Sequence, residues 1–505
     1  MLFNSYAFIF GFFPVVLFGF YRIGRYSHNL ASLWLTTASL FFYGWWDARF
    51  VSLLLGSIVF NYSAGYLIGH RFSKLNTKPK LLLISAIAAN LILLGYFKYA
   101  NFFIQNLNNL AGTAVTTGNI FLPLGISFFT FTQIAFLVDT YQGKVKEFNF
   151  IHYTLFVTYF PHLIAGPVLH HKEMMPQFAR RDTCQINWDN VATGLTIFVL
   201  GLSKKVLIAD SLADYATPIF TFAASGGQPM LFEAWVGGLA YTLQLYFDFS
   251  GYSDMAIGLS LMFNVRLPMN FNSPYKATSI IEFWRCWHMT LSRFLRDYLY
   301  IPLGGSRNGT TQRYLNLMIT MLLGGLWHGA GWTFVIWGCL HGVYLIINHT
   351  WHVLKEQIGW GDGGRGSRLA AGALTFLAVV VGWVFFRADS FASAMTMLQG
   401  MIGMNGISLP TSLEFLWNNY PNYIPFHDAI TFIEFIPSTK LAIDTALVTL
   451  MLGFIIVWGA QNVAVTAQHI HEQHRRIYVP IALGCILGVS LIAMRRVSEF
   501  LYFQF

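Results

Sequence analysis

Charge is what this chain lacks most. Only 10% of its 505 residues are Asp, Glu, Lys or Arg, against about 25% in an ordinary soluble domain. Hydrophobic residues make up 55% and aromatics 17%, with a mean hydropathy of +0.52. That composition excludes a soluble globular protein and requires an integral membrane one. Cysteine is scarce too. The four present, Cys184, Cys286, Cys339 and Cys485, have no metal-ligand spacing, and three fall in or beside apolar segments. Neither a disulfide framework nor a zinc site is indicated. There is no Gly-x-Ser-x-Gly elbow for a serine nucleophile, no Walker-type phosphate loop and no dinucleotide fingerprint. No histidine pair has the i, i+4 spacing with carboxylate support of hydrolytic zinc sites. The nearest approach, His170-His171-Lys172-Glu173, puts adjacent rings on opposite sides of any regular element, so no metal is expected. The formal net charge of +9 fits basic cytoplasmic loops rather than a nucleic-acid partner. The first apolar segment has no basic region before it and no small-residue cleavage site after it, and reads as a retained helix.

Long apolar runs fill the space that charge leaves. Candidates for membrane helices lie near residues 6–21, 30–46, 50–69, 81–97, 121–139, 151–169, 191–209, 234–262, 315–336, 337–349, 370–386, 442–460 and 478–494. A span needs about 20 apolar residues. Two of these segments are short or polar enough to be re-entrant, so about eleven spans are expected in an all-α polytopic membrane protein, read as one domain over 1–505. Arg22 and Arg25 follow the first segment, Arg71, Lys74, Lys78 and Lys80 separate the third from the fourth, and Lys144 and Lys146 follow the fifth. Between Lys98 and Lys144 there is no basic residue at all. An external N-terminus with alternating spans puts every one of these clusters on the cytoplasmic side, as the positive-inside rule requires. A second gap without Lys or Arg runs from Arg387 to Lys440, and residues 405–438, rich in aromatics and proline, read as an external loop or lid. From 160 to 350 glycines, prolines and charges interrupt the apolar runs, as where broken helices line a cavity.

Residues 241–349 hold the motifs that carry chemistry. Gly324-Gly325-Leu326-Trp327-His328-Gly329-Ala330-Gly331 sets an ionisable imidazole among small and apolar residues. An ionisable group at membrane depth is costly, which makes His328 a functional candidate; the plainer alternative is a histidine satisfied by a neighbouring helix. Glycines around it leave room for another molecule or another backbone. Upstream, Tyr246–Asp254 places Asp248 and Asp254 inside an apolar segment. They are expected to pair with Arg or His elsewhere and to support the structure as a buried network. Glu282–Tyr300 reads as one amphipathic helix with Arg285, His288, Ser292 and Arg296 on a single face. The Pro302–Gly309 stretch, with Arg307, breaks it. Arg285, Arg296 and Arg307 suit either the phosphates of a soluble donor or the headgroups of membrane lipids. A buried neutral imidazole such as His328 can act as a general base toward a hydroxyl.

In this order, Tyr246–Asp254, Glu282–His288, Leu295–Gly305 and Gly324–Gly329 resemble the membrane-bound O-acyltransferase family, in the branch with alginate O-acetyltransferase and the D-alanyl transferase of teichoic acids. Gly95–Asn101, Leu122–Phe128, Phe160–Pro167 and Tyr502–Phe505 fit the same branch, and the likeness runs end to end. It implies membrane helices around a central tunnel in the bacterial inner membrane, with the donor entering from the cytoplasm and the acceptor from outside. It further implies His328 as general base, His288 as the group that orients or polarises the reactants, and acetyl-coenzyme A as donor. The acceptor would be a hydroxyl of an exported polysaccharide such as alginate, reached through a secreted or membrane-anchored acetyltransferase partner. Peptidoglycan, cellulose or another envelope glycan is the alternative acceptor. A proton-coupled transporter is the alternative from another class, against which stands the absence of an internal repeat.

Overall fold

The apolar runs become helices because a backbone without water must satisfy its own hydrogen bonds. The computed structural model describes residues 1–505 except 71–78, 117, 119, 165, 360–362, 416–429, 440, 473–477, 495–499 and 502–505. Among the described residues, five helical stretches are long and apolar enough to cross a membrane: Ala7–Gly24, Arg49–Gly69, Pro79–Ala111, Trp188–Ala224 and Arg365–Arg387. Ile443–Gly459 and Val463–Ile470 make a sixth candidate, bent by 72°. The other expected segments are helices that are short or carry buried polar groups. His28–Gly44 has 17 residues. Phe150–Thr158 stops at Tyr159, before a one-turn helix at Phe160–Leu163. The 32-residue helix Leu231–Met262 contains Gln244, Asp248, Ser250 and Ser253.

Contacts divide the chain into two units, and Leu231–Met262 passes from one to the other after Ser250. The first comprises Met1–Leu202, Gly251–Asn270 and Val463–Val497. Its core is aromatic: Phe12 meets Phe160 edge-on at 5.4 Å, and Phe3 stacks on Tyr252 at 4.7 Å. Polar clamps join its helices. Asn61 and Asn90 exchange side-chain hydrogen bonds of 3.0 and 2.7 Å, and Gln133 Nε2 donates to Ser57 Oγ at 2.9 Å. Such bonds hold helices together where lipid removes the hydrophobic driving force. Paired glycines bring Trp188–Leu202 against Gly251–Met262. A Cβ on Gly194 would lie 2.6 Å from the Gly258 carbonyl oxygen, and one on Gly201 2.7 Å from that of Gly251.

The second unit comprises Ser203–Ser250, Phe271–Asn462 and Ser498–Phe505. Its centre is a helical hairpin, Gly309–His328 and Trp332–Ile358, which turns at Gly329-Ala330-Gly331. A Cβ on Gly325 would come within 2.3 Å of the Phe334 carbonyl oxygen, and one on Gly338 within 2.4 Å of that of Met321. The space left by the glycines around His328 therefore admits another backbone. Arg365–Arg387 packs on this hairpin through Trp383, whose ring stacks on Trp337 at 5.8 Å. Within 405–438, Ile407–Pro410 and Ile430–Ile433 form a two-stranded parallel sheet; residues 416–429 lie outside the described residues, as does the 502–505 motif.

Candidate functional site

The second unit's motif segments meet around three histidines. His328 is the last residue of Gly309–His328, with only 5% of its surface exposed. Its ring stands nearly perpendicular to Trp337 at 5.1 Å and to Phe386 at 5.2 Å, with Trp327 at 4.9 Å. His288 is fully buried. Its ring meets Phe249 edge-on at 4.8 Å and lies 6.3 Å from Trp327, the tryptophan that also borders His328. The structure thus brings His288 and His328 to one aromatic cluster, with the Trp327 indole in contact with both.

The backbone at His288 departs from the expected amphipathic helix. Ile280–Cys286 and Met289–Leu295 are separate short helices, and Arg296–Tyr300 follows as a wide turn. Between the two helices His288 adopts φ +42°, a left-handed conformation that costs a non-glycine residue about 1–3 kcal/mol. The break turns the imidazole inward while Arg285 and Arg296 stay exposed, so these residues do not share a face. Ser279 caps the first helix by accepting from the Glu282 amide, and the Cys286 carbonyl takes the Asn272 amide at 2.9 Å. Burial among aromatic rings holds the His288 imidazole below its ordinary pKa and so neutral near pH 7.

Asp248 is buried and paired with lysine, where arginine or histidine was expected. Lys205 Nζ lies 2.6 Å from Asp248 Oδ1 and 2.8 Å from Asp210 Oδ1. Asp248 Oδ2 also accepts the Leu501 amide at 3.1 Å, and Phe500 packs on Phe249 at 6.0 Å. Because Phe249 touches His288, this charged cluster sits directly behind the aromatic one. Asp254 is half-buried and lies on the part of its helix that belongs to the first unit. Arg285, Arg296 and Arg307 are exposed; Arg296 Nε donates to Asp297 at 2.7 Å, and no hydrogen bond or ion pair joins one of the three to another among the described residues. Among those residues no three His, Cys, Asp or Glu side chains gather as a metal site.

Two features lie outside the site residues read from the sequence: Lys205, which that reading misses, and His341, which it meets only as a metal candidate and sets aside. Lys205 was hidden in an apolar run, and its only sequence signal is a doubled lysine, Lys204-Lys205, at membrane depth. His341 is fully buried; its Nδ1 accepts from Trp284 Nε1 at 3.3 Å, and its ring lies 4.9 Å from Trp337. Tryptophan recurs at contact distance from each of the three histidines, which was visible only as a locally high Trp count.

The buried imidazoles sit in a helical, apolar framework, and comparisons with known proteins give the family. Residues 119–358 match the model of the membrane-bound O-acyltransferase family. A peptidoglycan O-acetyltransferase of Helicobacter pylori is 41% identical, covering 100% of this chain and 98% of its own. A protein of Pseudomonas aeruginosa named probable alginate O-acetylase AlgI is 45% identical over 79% of this chain and 75% of its own. A teichoic acid D-alanyltransferase of Bacillus subtilis is 26% identical over 54% of this chain and 70% of its own. The chain belongs to the membrane-bound O-acyltransferase family. It is a multi-pass membrane O-acetyltransferase, which displaces the transporter alternative.

Proposed function

We propose that this enzyme moves an acetyl group from acetyl-coenzyme A, entering from the cytoplasm, to a hydroxyl of an exported envelope glycan, and that His328 is its general base. The carrying observation is the placement of His328: a buried imidazole held by aromatic faces and bordered by the tryptophan that touches His288. A neutral imidazole at this position can take the proton of an attacking hydroxyl. The hydroxyl oxygen bonds to the acetyl carbonyl carbon as its proton passes to His328, and the carbonyl π pair moves onto its oxygen. That pair returns as the carbon–sulfur bond breaks, and the imidazolium protonates the leaving thiolate. His288 orients the reactants from the other side of Trp327. Asp248, with Lys205, holds the segment that carries Phe249 and so the wall behind His288. Arg285, Arg296 and Arg307 are the exposed cations available to donor phosphates or to lipid headgroups.

The acceptor is either the glycan itself or a secreted or membrane-anchored acetyltransferase partner that completes the transfer in the bacterial inner membrane. The names of the relatives support alginate and peptidoglycan alike, and the full-length likeness to the H. pylori protein favours testing peptidoglycan beside alginate. The experiment is transfer of labelled acetyl by purified protein in nanodiscs, wild type beside His328→Gln. Turnover is expected to fall about 10²–10⁴-fold with loss of a general base, with insertion and yield unchanged. Equal turnover would remove His328 from catalysis.

A further inference from the structure

We infer that a cavity between the first two helices and the turn Arg181–Cys184 binds the phosphate of an anionic phospholipid through Arg25 and Arg181. The inference concerns the first unit alone and is independent of the acetyl-transfer step. Phe13–Gly24 ends at Arg25, and Ser27 opens His28–Gly44 by accepting from the Leu30 amide. The turn Arg181–Cys184 closes on both helices. A Cβ on Gly24 would lie 2.7 Å from that of Cys184, and His28 Nδ1 lies 3.3 Å from Cys184 Sγ. Beside these contacts the segments border a cavity of about 760 Å³, a volume in the range of ligand sites and more than one phosphate group fills.

The lining of this cavity is cationic. Arg25, His28 and Arg181 border it with the amides of Asn29 and Gln185, and no Asp or Glu does. Asp182, inside the turn, accepts from Arg180 Nε at 3.0 Å, and Glu147 is paired with His152, whose ring lies 5.9 Å from that of His28. Among the described residues neither the Arg25 nor the Arg181 side chain has a hydrogen bond or an ion pair. Two guanidinium groups on one cavity without a carboxylate suit an anion, and phosphate oxygens match their forked N–H groups. Position selects the lipid. The cavity lies where the span Ala7–Gly24 ends and just before the span Trp188–Ala224 begins, at the depth of headgroups. Tyr26 and Trp188, 74% and 73% exposed, stand there as interfacial aromatics do. Leu30 and Ile186 are exposed beside them and give acyl chains a surface. The positive-inside rule predicts that this end faces the cytoplasm, where basic pockets between membrane helices hold anionic headgroups.

The test is native mass spectrometry of the delipidated protein in detergent, titrated with phosphatidylglycerol or with phosphatidylcholine. Wild type is expected to bind its first phosphatidylglycerol more tightly than phosphatidylcholine. Arg25→Gln and Arg181→Gln should each weaken phosphatidylglycerol binding about fivefold, and the double variant about 25-fold. The control, Arg365→Gln with Arg368→Gln, removes the same charge from exposed positions elsewhere and should bind as wild type does. Equal affinity of wild type for the two lipids overturns the site, and so does an unchanged affinity in the double variant. Equal weakening in the control overturns it too, because net charge would then account for the loss. Inorganic phosphate separates the two sources of the ligand. If an excess displaces phosphatidylglycerol from wild type, and raises the melting temperature of wild type but not of the double variant, the cavity holds a soluble phosphate and the lipid assignment falls. If the double variant does not fold, the single variants and the lipid preference of wild type still decide.

Discussion

Asp248 and Lys205 show how much a single buried charge demands. Each side chain is at most 4% exposed, and each charge is offset by the other 2.6 Å away, with Asp210 also 2.8 Å from Lys205. Breaking a buried ion pair costs up to about 3–5 kcal/mol, and here Asp210 keeps part of the pairing with Lys205 when Asp248 is removed. Asp248→Ala is therefore expected to lower the melting temperature of the detergent-solubilised protein and its folded yield. Asp248→Asn retains the shape and a hydrogen-bonding oxygen and should fall between. The remaining charge of Asp210 moderates the loss, so Asp210→Asn combined with Asp248→Asn should be worse than either alone. An unchanged melting temperature in Asp248→Ala would mean that the pair is not the support described here. The sequence announced this aspartate plainly, because a carboxylate in an apolar run stands out. It could not announce the partner, since Lys205 sits in a different helix and nothing in its spacing relates it to residue 248.

At the scale of elements, glycine decides how closely helices approach. The hairpin of Gly309–His328 and Trp332–Ile358 works because Gly325 and Gly338 carry no Cβ where the facing carbonyl oxygens lie 2.3 and 2.4 Å from the Cβ position. Gly338→Ala must push the two helices apart or bend one of them. Overpacking of this kind costs about 1–3 kcal/mol, and here it also displaces Trp337 from its place beside His328. We expect a lower melting temperature with a larger proportional loss of acetyl transfer. Gly366→Ala is the matched control: it lies in Arg365–Arg387 with nothing within 4 Å of its Cβ position, so it should be neutral or slightly stabilising. Equal effects in the two variants would show that the hairpin tolerates separation. The hairpin's turn was legible from Gly329-Ala330-Gly331. The break at His288 was not. Helical periodicity across Glu282–Tyr300 is continuous, and no glycine or proline marks residue 288, so only tertiary packing of Trp287 and His288 into the aromatic cluster reveals the left-handed turn. The candidates His288 and His328 thus came with a wrong picture of the backbone between the arginines.

Across the whole molecule, the distribution of basic residues predicts the direction in which chemistry runs. Pro79–Ala111 is 33 residues long, about 50 Å at 1.5 Å per residue, and so outruns a hydrocarbon core of about 30 Å. Its distal end carries Asn101, Gln105, Asn106, Asn108 and Asn109, and no Lys or Arg intervenes between Lys98 and Lys144. The positive-inside rule predicts that the loop after this helix faces outward and that the loop holding Lys144 and Lys146 faces the cytoplasm. A cytoplasmic donor and an external acceptor both depend on that assignment. In a variant without its four native cysteines, Thr116→Cys is expected to react with a membrane-impermeant maleimide added to intact spheroplasts, whereas Gln142→Cys should react only after lysis. Both positions are exposed, so a failure to label from one side reports the membrane rather than burial. The reverse pattern would invert the chain, place the donor's entry outside and exclude cytoplasmic acetyl-coenzyme A. Labelling of both sites in intact spheroplasts would mean that Ile126–Tyr141 does not cross the membrane and would remove the alternation on which the topology rests.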